Sequence, residues 1–307
     1  MSFDVLQDQI KAKKNPTAAI LGAGPDDIPP HILNKHTAQY GETLEAAAEA
    51  ALEFHLGLID ALADIVPAVE LSCARFEALG WRGMRALETV IAYAKEKGLF
   101  VIADGKRADL GGSAAAYSAA WLGETRVGET ACPVFNADCV TLSGYMGSDA
   151  VNPFLKDCAQ RNKCAFVLAR TPNPSSREFQ DLVSGDRQVY TAMGDLIQRW
   201  GRDTAGKYGY QILGAVVGNA QPNLLKQLRR RLDKTFFLVT GCVTQEGLSA
   251  DVRWAFDELG RGAMISDSRS ILRAWKKAGG DGTDYQDAAR DAAEQVRDEL
   301  RRLITIF

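Results

Sequence analysis

Asp104, Lys106 and Asp109 fall within six residues at the end of an apolar run, in FVIADGKRADLGG (100–112). Two carboxylates flanking an ammonium hold it charged and aim it, which suits a proton donor. On an extended strand, residues two apart share a face, so Asp104 and Lys106 are expected to point the same way. Asp109 follows in the loop that leads to the next helical pattern. The bland alternative is a surface salt-bridge cluster. The apolar strand that delivers the motif favours chemistry over that alternative.

The elements around the motif alternate. Eight short apolar, β-rich runs occur at 18–24, 65–72, 99–106, 139–145, 164–171, 212–218, 236–241 and 262–268. Their near-continuous apolar character suits parallel strands buried on both faces. Helical patterns separate them, at 43–63, 82–97, 113–121, 149–161, 187–207, 221–232, 249–259 and 283–304. The count favours an α/β fold of the (β/α)8 TIM barrel type, with an open doubly wound sheet as runner-up. The whole of 1–307 is expected to be one barrel domain, with a polar, amphipathic N-terminal segment 1–16 and a charged C-terminal helix 283–304. In a barrel, chemistry gathers at the C-terminal strand ends. Those ends hold Gly24, Glu70, Asp104 with Lys106, Ser143, Thr171, Gly218, Thr240 to Gln245, and Ser268 with Arg269. The irregular stretch 171–188 is a candidate lid.

Composition excludes several classes. The chain has 36 basic and 39 acidic residues, net charge −3, so a basic nucleic-acid binder is not expected. No apolar run reaches 18 residues, so no membrane partner is expected, and 1–16 lacks the features of a secretory signal. Cys73, Cys132, Cys139, Cys158, Cys164 and Cys242 form no metal motif and read as reduced core residues of a cytoplasmic protein. His31, His36 and His55 lie away from the strand ends and carry no catalytic expectation. Arg229 to Arg231 read as a solvated helix face.

The segment 99–123 resembles the D-x-K-x-x-D segment of orotidine 5'-phosphate decarboxylase, in the longer bacterial branch of that family. Similarity runs from about residue 16 to 275. It includes VPAVELSCARFEALG (66–80), TPNPSSREFQDL (171–182), YGYQILGAVVGNAQP (208–222) and ISDSRSI (265–271). The resemblance implies a homodimeric barrel with shared active sites and no organic cofactor. Asp104 and Lys106 would serve their own site, and Asp109 the neighbouring one. The phosphate of a small-molecule substrate would be gripped by Arg269, which can hold it bidentately, and by Gln245.

Departures from the pattern bear on the reaction. A lysine of the family stands here as Glu70. The strand-1 aspartate stands as Gly24, the lid serine as Pro172, and V-N-P as Leu142, Ser143 and Gly144. P-G-x-G-A-Q-G-G stands as Thr240 to Gly247, and a threonine as Ser113. Glu70, Asp104, Asp109 and Lys106 together carry net charge −2, where the family tetrad is neutral. Like charges about 4 Å apart repel by roughly 4 kcal/mol at an effective dielectric near 20. Compensation would come from a proton held on a carboxyl, or from Mg²⁺ on Glu70 and Asp104. A glutamate ahead of D-x-K-x-x-D is similar to the pattern of 3-keto-L-gulonate 6-phosphate decarboxylase and hexulose-6-phosphate synthase, for which Mg²⁺ is implied. A simple pairing of Glu70 with Lys106 is the structural alternative.

Three functions follow as expectations. The first is a diverged family lyase on a phosphorylated nucleotide or sugar, with Lys106 as acid or base, Asp104 and Asp109 positioning it, and Glu70 in the site. The second is a conventional orotidine 5'-phosphate decarboxylase making UMP. The third is a non-catalytic binder of a phosphate ligand.

Overall fold

The computed structural model describes residues 2–219, 221, 223–244, 247–267 and 270–307. Among these, eight parallel strands close into a barrel: β1 Thr17–Leu21, β2 Ala68–Ser72, β3 Phe100–Arg107, β4 Cys139–Leu142, β5 Cys164–Arg170, β6 Leu213–Gly218, β7 Phe237–Thr240 and β8 Ala263–Asp267. Each strand pairs with its sequence neighbours, and β8 closes on β1 through the register Thr17 to Ile265. This is the (β/α)8 barrel, and the open sheet is set aside.

The apolar runs form strands because both of their faces are covered. One set of side chains packs outward under the helices, among them Ala19, Leu21, Val69, Leu71, Val101 and Ala103. The alternate set fills the barrel interior: Ala18, Ala68, Phe100, Ile102, Cys139, Cys164, Phe166, Leu238 and Met264. Period 2 along each strand thus sorts residues between two apolar layers.

Helices return the chain between strands. They are α1 Ser2–Lys13, α2 Pro30–Tyr40, α3 Leu44–Leu62, α4 Cys73–Glu77, α5 Gly80–Glu96, α6 Gly111–Trp121, α7 Ser148–Arg161, α8 Val189–Trp200, α9 Leu224–Arg231, α10 Ala274–Ala278 and α11 Tyr285–Leu303. Thr43 starts α3, its hydroxyl accepting the Ala46 N–H at 3.3 Å.

The polar, amphipathic N-terminal segment has a structural task. Phe3, Leu6 and Ile10 of α1 are buried in the barrel's inner layer. Phe3 stacks on Phe236 with ring centroids 4.7 Å apart, and meets Phe166 at 5.0 Å. Phe236 immediately precedes β7, so α1 plugs the N-terminal end of the barrel and leaves the C-terminal end as the open one. The run 249–259 forms a 3₁₀ helix over Ala250–Ala255 in place of an α-helix, and 187–207 begins as a hairpin of Val183–Ser184 with Arg187–Gln188.

Arg229 also corrects the reading of a solvated face. Its guanidinium donates to the carbonyls of Ala255, Leu232, Thr235 and Gly262 at 2.7 to 2.9 Å, and lies 3.7 Å from the Phe237 ring centre. Those carbonyls come from segments entering or leaving strands, so Arg229 is a tie between connections. Arg230 and Arg231 are exposed, and Arg231 pairs with Asp195 at 2.6 Å.

Candidate active site

A cavity of about 530 Å³ opens at the C-terminal mouth of the barrel. Its apolar lining is Ile20, Leu168, Val216 and Leu238, inward side chains near the C-terminal ends of their strands. Its polar wall is Glu70, Asp104, Lys106, Thr141, Thr240 and Ser266. Thr171, Pro172 and Asn173, from the loop after β5, close the other side.

Asp104 and Lys106 meet in the cavity, but not through the strand alternation expected of them. Ala103 pairs with Val140 and Arg107 with Leu142, so Asp104, Gly105 and Lys106 together face the single residue Thr141. β3 therefore bulges here, and Lys106 takes a left-handed φ of 47°. That backbone conformation is strained for a lysine, and bulges of this kind re-aim side chains next to active sites. Thr141 holds the bulge. Its Oγ1 accepts the Lys106 N–H at 2.9 Å and donates to Asp104 Oδ1 at 2.8 Å. Lys106 Nζ then lies 2.7 Å and 2.5 Å from the two Asp104 oxygens. The lysine side chain is half exposed and the aspartate is mostly covered. The result is a fixed ammonium with a fixed counter-charge, open to whatever occupies the cavity.

Glu70 lies at an inward position of β2 and is 4% exposed. Ser266 Oγ donates to its Oε2 at 2.7 Å. Burial, then the charge of Asp104, push the Glu70 carboxyl up to about 7, against the opposing pull of Ser266 and Lys106. No hydrogen bond joins Glu70 to Lys106 among the described residues, so the simple pairing expected as an alternative is not formed. The donor set also fits Mg²⁺ poorly. Asp104 already spends both oxygens on an ammonium, Glu70 Oε2 is taken by a hydroxyl, and no cluster of three His, Cys, Asp or Glu occurs among the described residues.

Asp109 does not reach this cavity from its own chain. It is half-buried, its Oδ1 accepts the Leu110 N–H at 2.8 Å, and it is absent from the lining. Arg269 and Gln245 lie outside the described residues. Gly24, where the resemblance implies an aspartate, gives its N–H to Asp27 Oδ2 at 3.1 Å. Burial raises the Asp27 carboxyl, but Arg273 Nε at 2.6 Å and the Gly24 N–H more than reverse it, and hold Asp27 below its ordinary range. His55 supports the same turn. Nδ1 donates to the Ala51 carbonyl at 2.6 Å and Nε2 accepts the Ala23 N–H at 3.2 Å, with burial pushing the imidazole down to about 4.

The loop after β5 is anchored by Arg170. Leu168 pairs with Val216 and Arg170 with Val217, so Ala169 is an extra residue, and the bulge gives Arg170 the outward face of Val217. There Arg170 is 1% exposed and pairs with Asp181 at 3.1 Å, donates to the Thr171 carbonyl at 2.5 Å, and bonds Ser176 and Gln180. The candidate lid is thus partly ordered, with a 3₁₀ turn at Pro174–Glu178 and a short hairpin. Thr141, Ser266 and Arg170 were not singled out from sequence. Thr141 and Arg170 are polar residues within otherwise apolar strands, and Ser266 directly follows the apolar run of β8, which is the signal that could have found them.

A model of the Orotidine 5'-phosphate decarboxylase / HUMPS family matches residues 50–278. The chain belongs to that family. It is 32% identical to the orotidine 5'-phosphate decarboxylase of Caldicellulosiruptor bescii over 302 residues, covering 98% of each chain. It is 36% identical to that of Rhodopirellula baltica over 261 residues, covering 84% of this chain and 85% of the relative. The solved Leishmania donovani OMP decarboxylase is similar in fold, with a TM-score of 0.72, 27% identity and 98% of both chains covered. These similarities make the chain a member of a carboxy-lyase family of enzymes. No helix among the described residues is long and apolar enough to cross a membrane.

Proposed function

We propose that this chain decarboxylates orotidine 5'-phosphate, the conventional activity of its family. The carrying observation is the Lys106–Asp104 pair, held by Thr141 in the cavity of a chain collinear with named decarboxylases. The bond from the ring carbon to the carboxylate breaks, CO₂ leaves, and the electron pair stays on the ring carbon. Lys106 delivers a proton there and becomes a neutral amine, giving UMP. Asp104 keeps the ammonium charged and aimed until that transfer. Arg269 and Gln245 grip the phosphate, and Asp109 of the partner subunit completes the charge set in a homodimer. No organic cofactor enters this scheme.

Glu70 favours a second reading, in which the family fold and phosphate grip serve a changed lyase reaction on another phosphorylated nucleotide or sugar. A buried carboxyl stands where the resemblance implies an ammonium. One experiment separates the two readings: turnover of orotidine 5'-phosphate by purified protein, followed as loss of the orotate chromophore, with EDTA and with added Mg²⁺. EDTA-insensitive turnover supports the first reading. No turnover in either condition removes it. Binding without turnover of any lyase substrate, with Lys106→Ala altering affinity only, would leave a phosphate-ligand binder.

A further inference from the structure

The polar wall of the cavity contains two carboxyl groups and one ammonium, and their hydrogen bonds are unequally shared. Asp104 takes the ammonium of Lys106 on both oxygens and the Thr141 hydroxyl on one. Glu70 receives only the Ser266 hydroxyl, on Oε2, among the described residues. Among the described residues, the charged groups that face Glu70 are Asp104 and Lys106 from β3; β1 presents Ile20, β4 Thr141 and β8 Ser266. No cation among the described residues lies in hydrogen-bond reach of Glu70, and a carboxylate buried in that way is strongly disfavoured over its protonated form.

We propose that Glu70 serves as a neutral carboxylic acid whose O–H donates to the reacting end of the ligand, so that the site takes a phosphorylated nucleotide bearing an oxygen acceptor there. The proposal rests on the nucleotide reading for its ligand, but not for the state of Glu70. Oε2 is occupied by Ser266, which leaves Oε1 to carry the proton at the cavity wall. A neutral donor at this position removes the second negative charge that would repel a substrate carboxylate beside Asp104. It supplies a hydrogen bond where the resemblance implies an ammonium, so it restores part of the lost complementarity without restoring the charge. The elevated Glu70 carboxyl, pushed up to about 7 by burial and Asp104, is consistent with this state near neutrality. Buried acids held neutral as hydrogen-bond donors are an established enzymatic device.

The test has a ligand-free arm and a binding arm. Infrared difference spectra of wild type against Glu70→Gln, near pH 6, should show a protonated-carboxyl C=O band lost in the variant. Absence of that band overturns the proposal. Calorimetric titration then compares orotidine 5'-phosphate with UMP on wild type, Glu70→Gln and Glu70→Ala. Glu70→Gln, a neutral donor, should bind orotidine 5'-phosphate within about threefold of wild type, and Glu70→Ala roughly tenfold more weakly. Glu70→Gln binding it more than about tenfold more tightly would show that wild-type Glu70 is ionised, and unchanged affinity in Glu70→Ala would show no donated bond; either overturns the proposal. If neither nucleotide binds any variant, the nucleotide reading falls, and the infrared band still decides the state of Glu70.

Discussion

Ser266 on β8 donates its hydroxyl to Glu70 on β2 at 2.7 Å, across β1, which lies between them in the barrel. The bond closes the top of the barrel interior around an acid raised from 4.5 to about 7. Between those two values the native state holds a proton that the unfolded chain has released. Glu70 therefore costs nothing below 4.5 and destabilises the fold progressively as pH rises toward 7. Glu70→Gln should leave stability unchanged at about pH 4 and raise it by roughly 3 kcal/mol at about pH 8. Urea midpoints at the two pH values check this, and an equal shift at both would refute it.

His55 has the opposite sign. Burial lowers it from 6.5 to about 4, so the unfolded chain binds a proton in that interval and the native state does not. Its contribution is complete above 6.5 and is lost as pH falls toward 4. The magnitude is roughly 3 kcal/mol over the interval. His55→Gln should be less stable than wild type at about pH 7, through lost packing, yet flatter between about pH 6.5 and 4. Parallel acid limbs in the two proteins would rule out His55 as the source.

Thr141 joins Lys106 and Asp104 through its one hydroxyl, so its removal should act on the chemistry of both. Thr141→Val is expected to lower kcat roughly tenfold with little change in KM, while costing about 1–3 kcal/mol of stability. Lys106→Ala should lose roughly 10²- to 10⁴-fold in kcat, the range of a general acid. Steady-state kinetics on the substrate found to turn over decide it. A Thr141→Val effect confined to KM would mean that the bulge positions the ligand and not the ammonium.

Asp109 makes no bond to Lys106 within its own chain, which motivates the shared-site reading. Lys106→Ala and Asp109→Asn variants, each inactive alone, should regain activity when mixed and allowed to exchange subunits. Random exchange gives half heterodimers, each with one intact site, so recovery should approach about a quarter of wild type. No recovery after demonstrated exchange would place Asp109 outside the site.

The eight strands were legible because each is covered on both faces, which leaves runs such as FVIA (100–103) without a polar residue. The meeting of Lys106 with Asp104 was also legible, but for the wrong reason. Period-2 counting assumes a regular ladder, and three residues against Thr141 is a property of the pairing, which one strand's pattern does not contain. Arg229 was misread for a similar cause: its carbonyl partners at Ala255 and Gly262 are distant in sequence. The amphipathic character of 1–16 was legible in the spacing of Phe3, Leu6 and Ile10, but the barrel end that this stripe covers lies far away in sequence, at Phe166 and Phe236. Glu70 was legible as a departure, and its ionisation became readable only once burial and Asp104 were placed around it.

Arg170 is the largest fully buried side chain among the described residues, and it sits at the point where β5 gives way to the loop that closes the cavity. Its guanidinium gathers Asp181, Ser176, Gln180 and the Thr171 carbonyl, all from that loop. Removing one partner of a buried pair leaves the rest unsatisfied, at a cost of roughly 3–5 kcal/mol. Arg170→Met keeps most of the side-chain volume, so its loss should reflect the polar anchor and not a cavity. The expected outcome is lower stability together with faster proteolytic cleavage within 171–188, and a raised KM, because Thr171, Pro172 and Asn173 line the site. Asp181→Asn should move all three readouts the same way by a smaller amount, since Asp181 is partly exposed. Unchanged cleavage in Arg170→Met would mean that the loop is held from elsewhere.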